Sequence, residues 1–171
     1  MNIRRLVPAD AAPYRTLMLE AYARHPAAFT SSAEERGALP LAWWESRLDV
    51  APNASTVVLG AFDDDRLAGA AGLEFETRAK ARHKATLFGM MVPESSRGRG
   101  IGQALVEAAL ALARARDGVL QVNLTVSDGN MQAQALYERC GFVVFGVEPL
   151  AIAVGATFVA KIHMWCDLRA S

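Results

Sequence analysis

Two cysteines in 171 residues, Cys140 and Cys166, are too few for a disulfide framework, and no Cys/His spacing suits zinc. An excess charge of one sign is lacking too. Eighteen basic residues balance eighteen acidic ones, so no global field draws nucleic acid or an anionic membrane. No apolar run reaches the roughly 18 to 20 residues needed to span a bilayer. The opening "MNIRRLVPAD" lacks the apolar core of a signal peptide. Internal repeats and low-complexity tracts are absent. The expectation is a cytoplasmic protein with no metal, no nucleic-acid partner and no membrane partner.

What is present is a composition 52% hydrophobic and 21% charged, which suits a packed core, and a length that suits one domain over residues 1–171. Asn2 to Val7 reads as a first strand, followed by a helix with Asp10 at its N-cap and Pro13 in its first turn. Tyr14, Leu17, Met18, Ala21 and Tyr22 form its apolar face, and Pro26 stops it. The segment Pro26 to Pro40 is small and polar, either a plain connection or a loop lying over something. A second helix is expected from Leu41 to about Val50, burying Trp44 and Leu48.

From Ser55 the pattern turns to strand, with a hairpin at Asp63 to Asp65 and a basic turn at Arg78 to Lys84 that includes His83. "ATLFGMMV" is a strand, and "GQALVEAALALARAR" a helix burying Ile101, Leu105, Ala108, Ala109 and Leu112. In Val119 to Val126, Leu120, Val122, Leu124 and Val126 alternate with polar neighbours. One more helix and two strands complete the order β, α, α, β, β, β, α, β, α, β, β. That order predicts an α/β mixed sheet of about seven strands, mostly antiparallel, with helices on both faces.

Between a strand and a helix, "SSRGRGIGQAL" sets Gly98, Gly100 and Gly102 beside Arg97 and Arg99. A helix start offers unpaired N–H groups and a positive dipole end, and glycines let those amides converge on an anion. The arginines can add charge-assisted contacts to phosphate oxygens. A Walker loop would need Lys-Ser or Lys-Thr where Gln103-Ala104 stands, and a dinucleotide fingerprint from Gly98 would need glycine at Gln103. A purely structural turn stays open on the glycines alone.

"RGRGIG" after "GMMV" resembles the Arg/Gln-x-x-Gly-x-Gly/Ala motif of the Gcn5-related N-acetyltransferases (GNAT). "NMQAQALYERCGF" is similar to a second pattern of that family, matching at Asn130, Ala133, Leu136, Tyr137, Gly141 and Phe142. The order of elements matches over nearly the whole chain. The resemblance implies acetyl-CoA as co-substrate, without a metal. Arg97, Gly98, Arg99, Gly100, Ile101 and Gly102 would hold its pyrophosphate. Met90, Met91 and Val92 would pair with its pantetheine arm, in a gap between that strand and the next. Pro93 falls one place earlier than the family pattern has it, a departure that shifts no glycine and moves those amide partners by at most one residue.

Asn130, Ala133 and Tyr137 share a helix face over about 10 Å, along which an extended ligand can lie. By resemblance Tyr137 donates a proton to the CoA sulfur and attack is direct. Many relatives carry a glutamate on the strand "TLFGMMV", and this chain has none. Glu74 and Glu76, two apart on the preceding strand, are candidates for the base, or line an outer face without a role. By the same resemblance the acceptor is a small-molecule amine or a peptide or protein amine. Its site is built from Tyr22 to Trp44 and Val147 to Phe158. Phe29, Trp43, Trp44 and Phe158 are candidates for an apolar wall, and Glu34, Glu35 and Glu148 for attracting a cation. A homodimer is admitted, and an inactive acyl-CoA sensor is the alternative.

Overall fold

The β-branched and aromatic runs after Ser55 form strands, and the computed structural model, which describes residues 1–169, joins seven strands in one sheet. In chain order the elements are β1 (Asn2–Arg5), α1 (Ala11–Arg24), α2 (Ala33–Gly37), α3 (Leu41–Ser46), β2 (Thr56–Asp63), β3 (Arg66–Phe75) and β4 (Lys84–Met91), followed by α4 (Ile101–Arg114), β5 (Gln121–Ser127), α5 (Met131–Arg139), β6 (Val143–Val154) and β7 (Thr157–Asp167). The sheet order is β1-β2-β3-β4-β5-β7-β6. Among the described residues only β4 and β5 pair in parallel, joined by the α4 crossover that a parallel pair requires. The expected mixed, mostly antiparallel sheet is the observed one.

Helices cover both faces. On one, Ile101, Leu105, Val106, Ala109 and Leu110 of α4 pack on Val57, Leu73, Leu87 and Val122. Ala108 and Leu112, expected on the buried face, are only half-buried, because the stripe is turned toward Val106 and Leu110. On the other face, Tyr14, Leu17, Met18 and Ala21 of α1 join Trp44, Leu48, Val58, Ala70 and Met91. No helix among the described residues is long and apolar enough to cross a membrane.

Four local departures have physical causes. The helix expected to reach Val50 ends at Ser46, whose hydroxyl bonds back to the Trp43 carbonyl, while Asp49 accepts from the Ala51 amide. Within Pro26 to Pro40 the extra helix α2 starts on a reciprocal capping box between Ser32 and Glu35. Asp10 stands at the N-cap of α1, but its carboxylate turns back to the Val7 amide and the Arg4 guanidinium, each at 2.8 Å. Leu120 is exposed because β5 begins one residue later, at Gln121.

Candidate active site

β4 and β5 pair through Lys84–Gln121, Ala85–Val122 and Thr86–Asn123, then part. The cause lies in β4. Between the pairs Gly72–Phe88 and Ala70–Met91 that strand holds one residue more than β3, a bulge with Gly89 at φ +59°. Beyond Thr86 the β5-facing edge of β4 therefore has no strand partner. The gap opens into a cleft of about 1140 Å³.

The glycine turn forms one end of the cleft. Gly98 and Gly100 adopt φ +76° and +74°, a region that disfavours any side chain, and a Cβ at either would meet no protein atom within 4 Å. The space beside them is open. Gly100 is the N-cap of α4 and supplies no side-chain cap, so the first N–H groups of the helix face outward. Gly102 has a different reason: a Cβ there would lie 3.1 Å from Leu136 and 3.2 Å from Met90, so glycine lets α4 close on α5 and β4.

Met90, Met91, Val92, Arg97, Gly98, Gly100, Ile101, Gly102, Asn130, Ala133 and Tyr137 all line the cleft. Arg97 is held by its Nε to the Val92 carbonyl at 3.1 Å, with a terminal nitrogen 3.4 Å from His25 Nε2. Arg99 is not brought in. It points the other way, to Asp63 at the β2–β3 turn, 2.7 Å away. Asn130 caps α5, its side-chain oxygen accepting from the Ala133 amide, which leaves its NH₂ free. Tyr137 is 6% exposed, stands edge-on to Phe142, and burial pushes its phenol up to about 12.

Neither glutamate candidate for the base lines the cleft. Glu74 is exposed, and Glu76 lies in a separate hollow beside Phe75 and Arg116. Hydrogen bonds from the Arg78 guanidinium and amide hold Glu76 down at about 2, too acidic to take a proton readily at neutral pH.

The other end of the cleft lies under the segment Pro26 to Pro40. The Ser127 hydroxyl donates to the Ala27 carbonyl, and Lys161 Nζ to Thr30 Oγ1 at 2.6 Å, so the segment covers the cleft rather than merely connecting helices. Phe29, Trp43 and Trp44 form a wall there, with Tyr22 edge-on to Phe29 and Tyr14 to Trp44. Phe158 is outside it and 59% exposed. Glu34, Glu35 and Glu148 are outside as well, Glu35 spent on capping α2 and Glu148 on His163 at 2.9 Å. Sequence reasoning missed Tyr14, Arg36, Arg47, Ser127 and Asp128, which do line the cleft. The S-x-x-E signal at Ser32 would have revealed α2 and so placed Arg36; the others carry no local signal. Burial pushes the Tyr22 phenol up, and Arg36 and Arg47 pull it back.

The chain is similar in sequence and in fold to known proteins. The chain is 43% identical over 61 residues to a mycothiol acetyltransferase of Beutenbergia cavernae, covering 36% of this chain and 20% of that one. It is 30% identical over 89 residues to a streptothricin acetyltransferase of Escherichia coli, covering 52% of this chain and 48% of the relative. The matches thus span a fifth and about half of those relatives' lengths. Among solved structures, an acetyltransferase of the GNAT family from Streptococcus pneumoniae superposes with TM-score 0.86 at 25% identity, covering 96% of this chain and 97% of that one. A putative acetyltransferase from Salmonella typhimurium, solved with its cofactor acetyl-CoA, shares the fold with TM-score 0.80 at 22% identity, over 98% of this chain and 94% of that one. The model of the acetyltransferase (GNAT) family matches residues 16–142, a stretch that runs from α1 through the parted strands and the glycine turn to Phe142, and the chain belongs to that family.

Proposed function

We propose that the protein transfers the acetyl group of acetyl-CoA to a primary amine, of a small molecule or of a peptide or protein. One observation carries the reading: a single cleft joins an open strand edge, a glycine turn at a helix start and a buried phenol. The chain's groups suit the co-substrate. The free edge at Met90, Met91 and Val92 can pair with an amide-bearing arm. The outward amides of α4, the open space at Gly98 and Gly100, and Arg97 suit a pyrophosphate. When bound, acetyl-CoA supplies a thioester open to direct attack by a neutral amine.

In the balance, one C–N bond forms and one C–S bond breaks. An ammonium acceptor loses two protons, one ending on the thiol and one in solvent. Tyr137, protonated through neutral pH, donates its hydrogen bond to the sulfur as charge develops there. A backbone N–H of this strand end, near Met91 or Val92, donates to the carbonyl oxygen. With Glu74 and Glu76 outside the cleft, the amine's proton leaves through water.

The test pairs calorimetric titration with acetyl-CoA and free-thiol release over a panel of amines, on the wild type and Tyr137→Phe. Binding with amine-dependent release that falls about 100-fold or more in the variant supports the reading. Failure to bind acetyl-CoA ends it. Binding without release for any amine would instead make the chain an acyl-CoA sensor.

A further inference from the structure

The acceptor end of the cleft is rich in cations. Arg24, Arg36, Arg47 and Lys161 line it, and among the described residues the lone carboxylate in the lining is Asp128. Two of these cations have partners already: Arg24 pairs with Glu20 at 3.1 Å, and Lys161 donates to Thr30. Arg36 and Arg47 have no acidic partner among the described residues. Both are half-buried and share one aromatic support, their guanidinium carbons 4.6 and 5.4 Å from the Trp43 ring centre.

The pair is also held in place. The Ser32–Glu35 capping box builds the turn that carries Arg36, and Arg36 Nε donates to Ser31 Oγ at 3.0 Å, leaving its terminal nitrogens free. The Arg15 guanidinium ties the end of α2 to α1 through the Gly37 carbonyl at 2.9 Å. Arg47 reaches toward Phe88, 5.9 Å from its ring centre, and Phe88 directly precedes the bulge at Gly89. The indole N–H of Trp44 adds a buried donor without an acceptor among the described residues. Half-buried guanidinium groups without counter-charges suit an anion with two or three oxygens, and they repel a polycation.

We propose that the acceptor is a primary amine that also carries a carboxylate or phosphonate, held by Arg36 and Arg47 while its amine faces the bulge of β4. This rests on the acetyl-transfer reading above and gives that site its substrate class. It reverses the expectation that Glu34, Glu35 and Glu148 attract a cationic amine.

The experiment compares matched amines on the wild-type protein: L-amino acids against their amides, aminoalkyl phosphonates against the parent alkylamines, and spermidine. Thiol release is followed kinetically, and binding of each amine by calorimetry in the presence of CoA. Carboxylates or phosphonates are expected to exceed their uncharged partners by about 10- to 100-fold in kcat/KM or in affinity. The two arms then tell which anion is used. Arg36→Gln and Arg47→Gln should each raise KM for the anionic amine by about tenfold or more and erase its preference over the amide, with partial recovery in Arg47→Lys. Equal or better use of amides, alkylamines or spermidine overturns the proposal, as does a panel in which no anionic amine binds or reacts. Acetyl-CoA binding and thiol release with the uncharged amines, read in the same preparations, separate the two failures: binding with release from any amine leaves acetyl transfer standing and removes only the anionic acceptor.

Discussion

The ring of Phe88 lies directly over Gly72, its cross-strand partner, so that a Cβ at position 72 would stand 2.3 Å from the ring's Cζ. Phe88 also lines the cleft and lies near Arg47, so under the proposed acceptor site Gly72 is a positioning residue on the strand behind it. Overpacking of this kind costs roughly 1–3 kcal/mol. Gly72→Ala is therefore expected to lower Tm and to raise KM for the amine more than it weakens acetyl-CoA. Thermal unfolding and a KM comparison check this; unchanged values for both would show that the ring moves aside freely.

The two sides of the glycine turn should separate in binding. Gly100→Val forces a β-branched residue to φ +74°, where strain costs about 1–3 kcal/mol, and fills the open space beside α4. A loss of acetyl-CoA affinity of about tenfold or more is expected by calorimetry. Arg97→Ala should also weaken binding, with a loss that shrinks as salt rises. Arg99→Ala should cost less than Arg97→Ala, since Arg99 is turned toward Asp63. The reverse ranking would mean that Arg99 swings into the cleft when acetyl-CoA binds.

Thiol release should rise with pH as the neutral fraction of the acceptor grows toward an amine pKa of about 10. Tyr137 sets no falling limb across that range. Its folded-state value is raised to about 12 by burial, so the donor stays protonated until the pH approaches that value. A profile already flat from about pH 6 upward would instead show that a carboxylate in the cleft removes the proton.

Asp10, at the start of α1, ties back to Arg4 of β1 and to the Val7 amide, and its stabilisation should fade in acid. The hydrogen bond from Arg4 leads in lowering its pKa, with the Val7 amide assisting. A depressed carboxylate contributes fully above its unfolded value near pH 4, and that contribution is lost as the pH falls through the lower folded value. Asp10→Asn should therefore destabilise by about 1 kcal/mol at neutral pH and by little near pH 2, measured by urea unfolding at both. An equal loss at both pH values would assign the effect to packing.

Much of this molecule is set locally and is readable from its sequence. The 3.6-residue stripe from Ile101 to Ala113, the β-branched alternation in Val122, Leu124 and Val126, and the hairpin at Asp63 each depend on neighbours a few residues away. Gly98 and Gly100 are legible for the same reason, since a left-handed turn at a helix start is a local demand. The tertiary structure decided what long-range approach controls. The bulge at Gly89 parts β4 from β5 only because β3 and β5 hold that strand on either side. Arg97 enters the cleft and Arg99 leaves it because Asp63 comes near through the β2–β3 hairpin. Glu76 is lost to Arg78 two residues on, whereas Arg36 and Arg47 meet over Trp43 because α2 and α3 fold against α1. A side chain's charge is written in the sequence; where its partner lies on a distant segment, as for Arg99 with Asp63 and for Arg36 and Arg47 over Trp43, only the packing of those segments brings the two together.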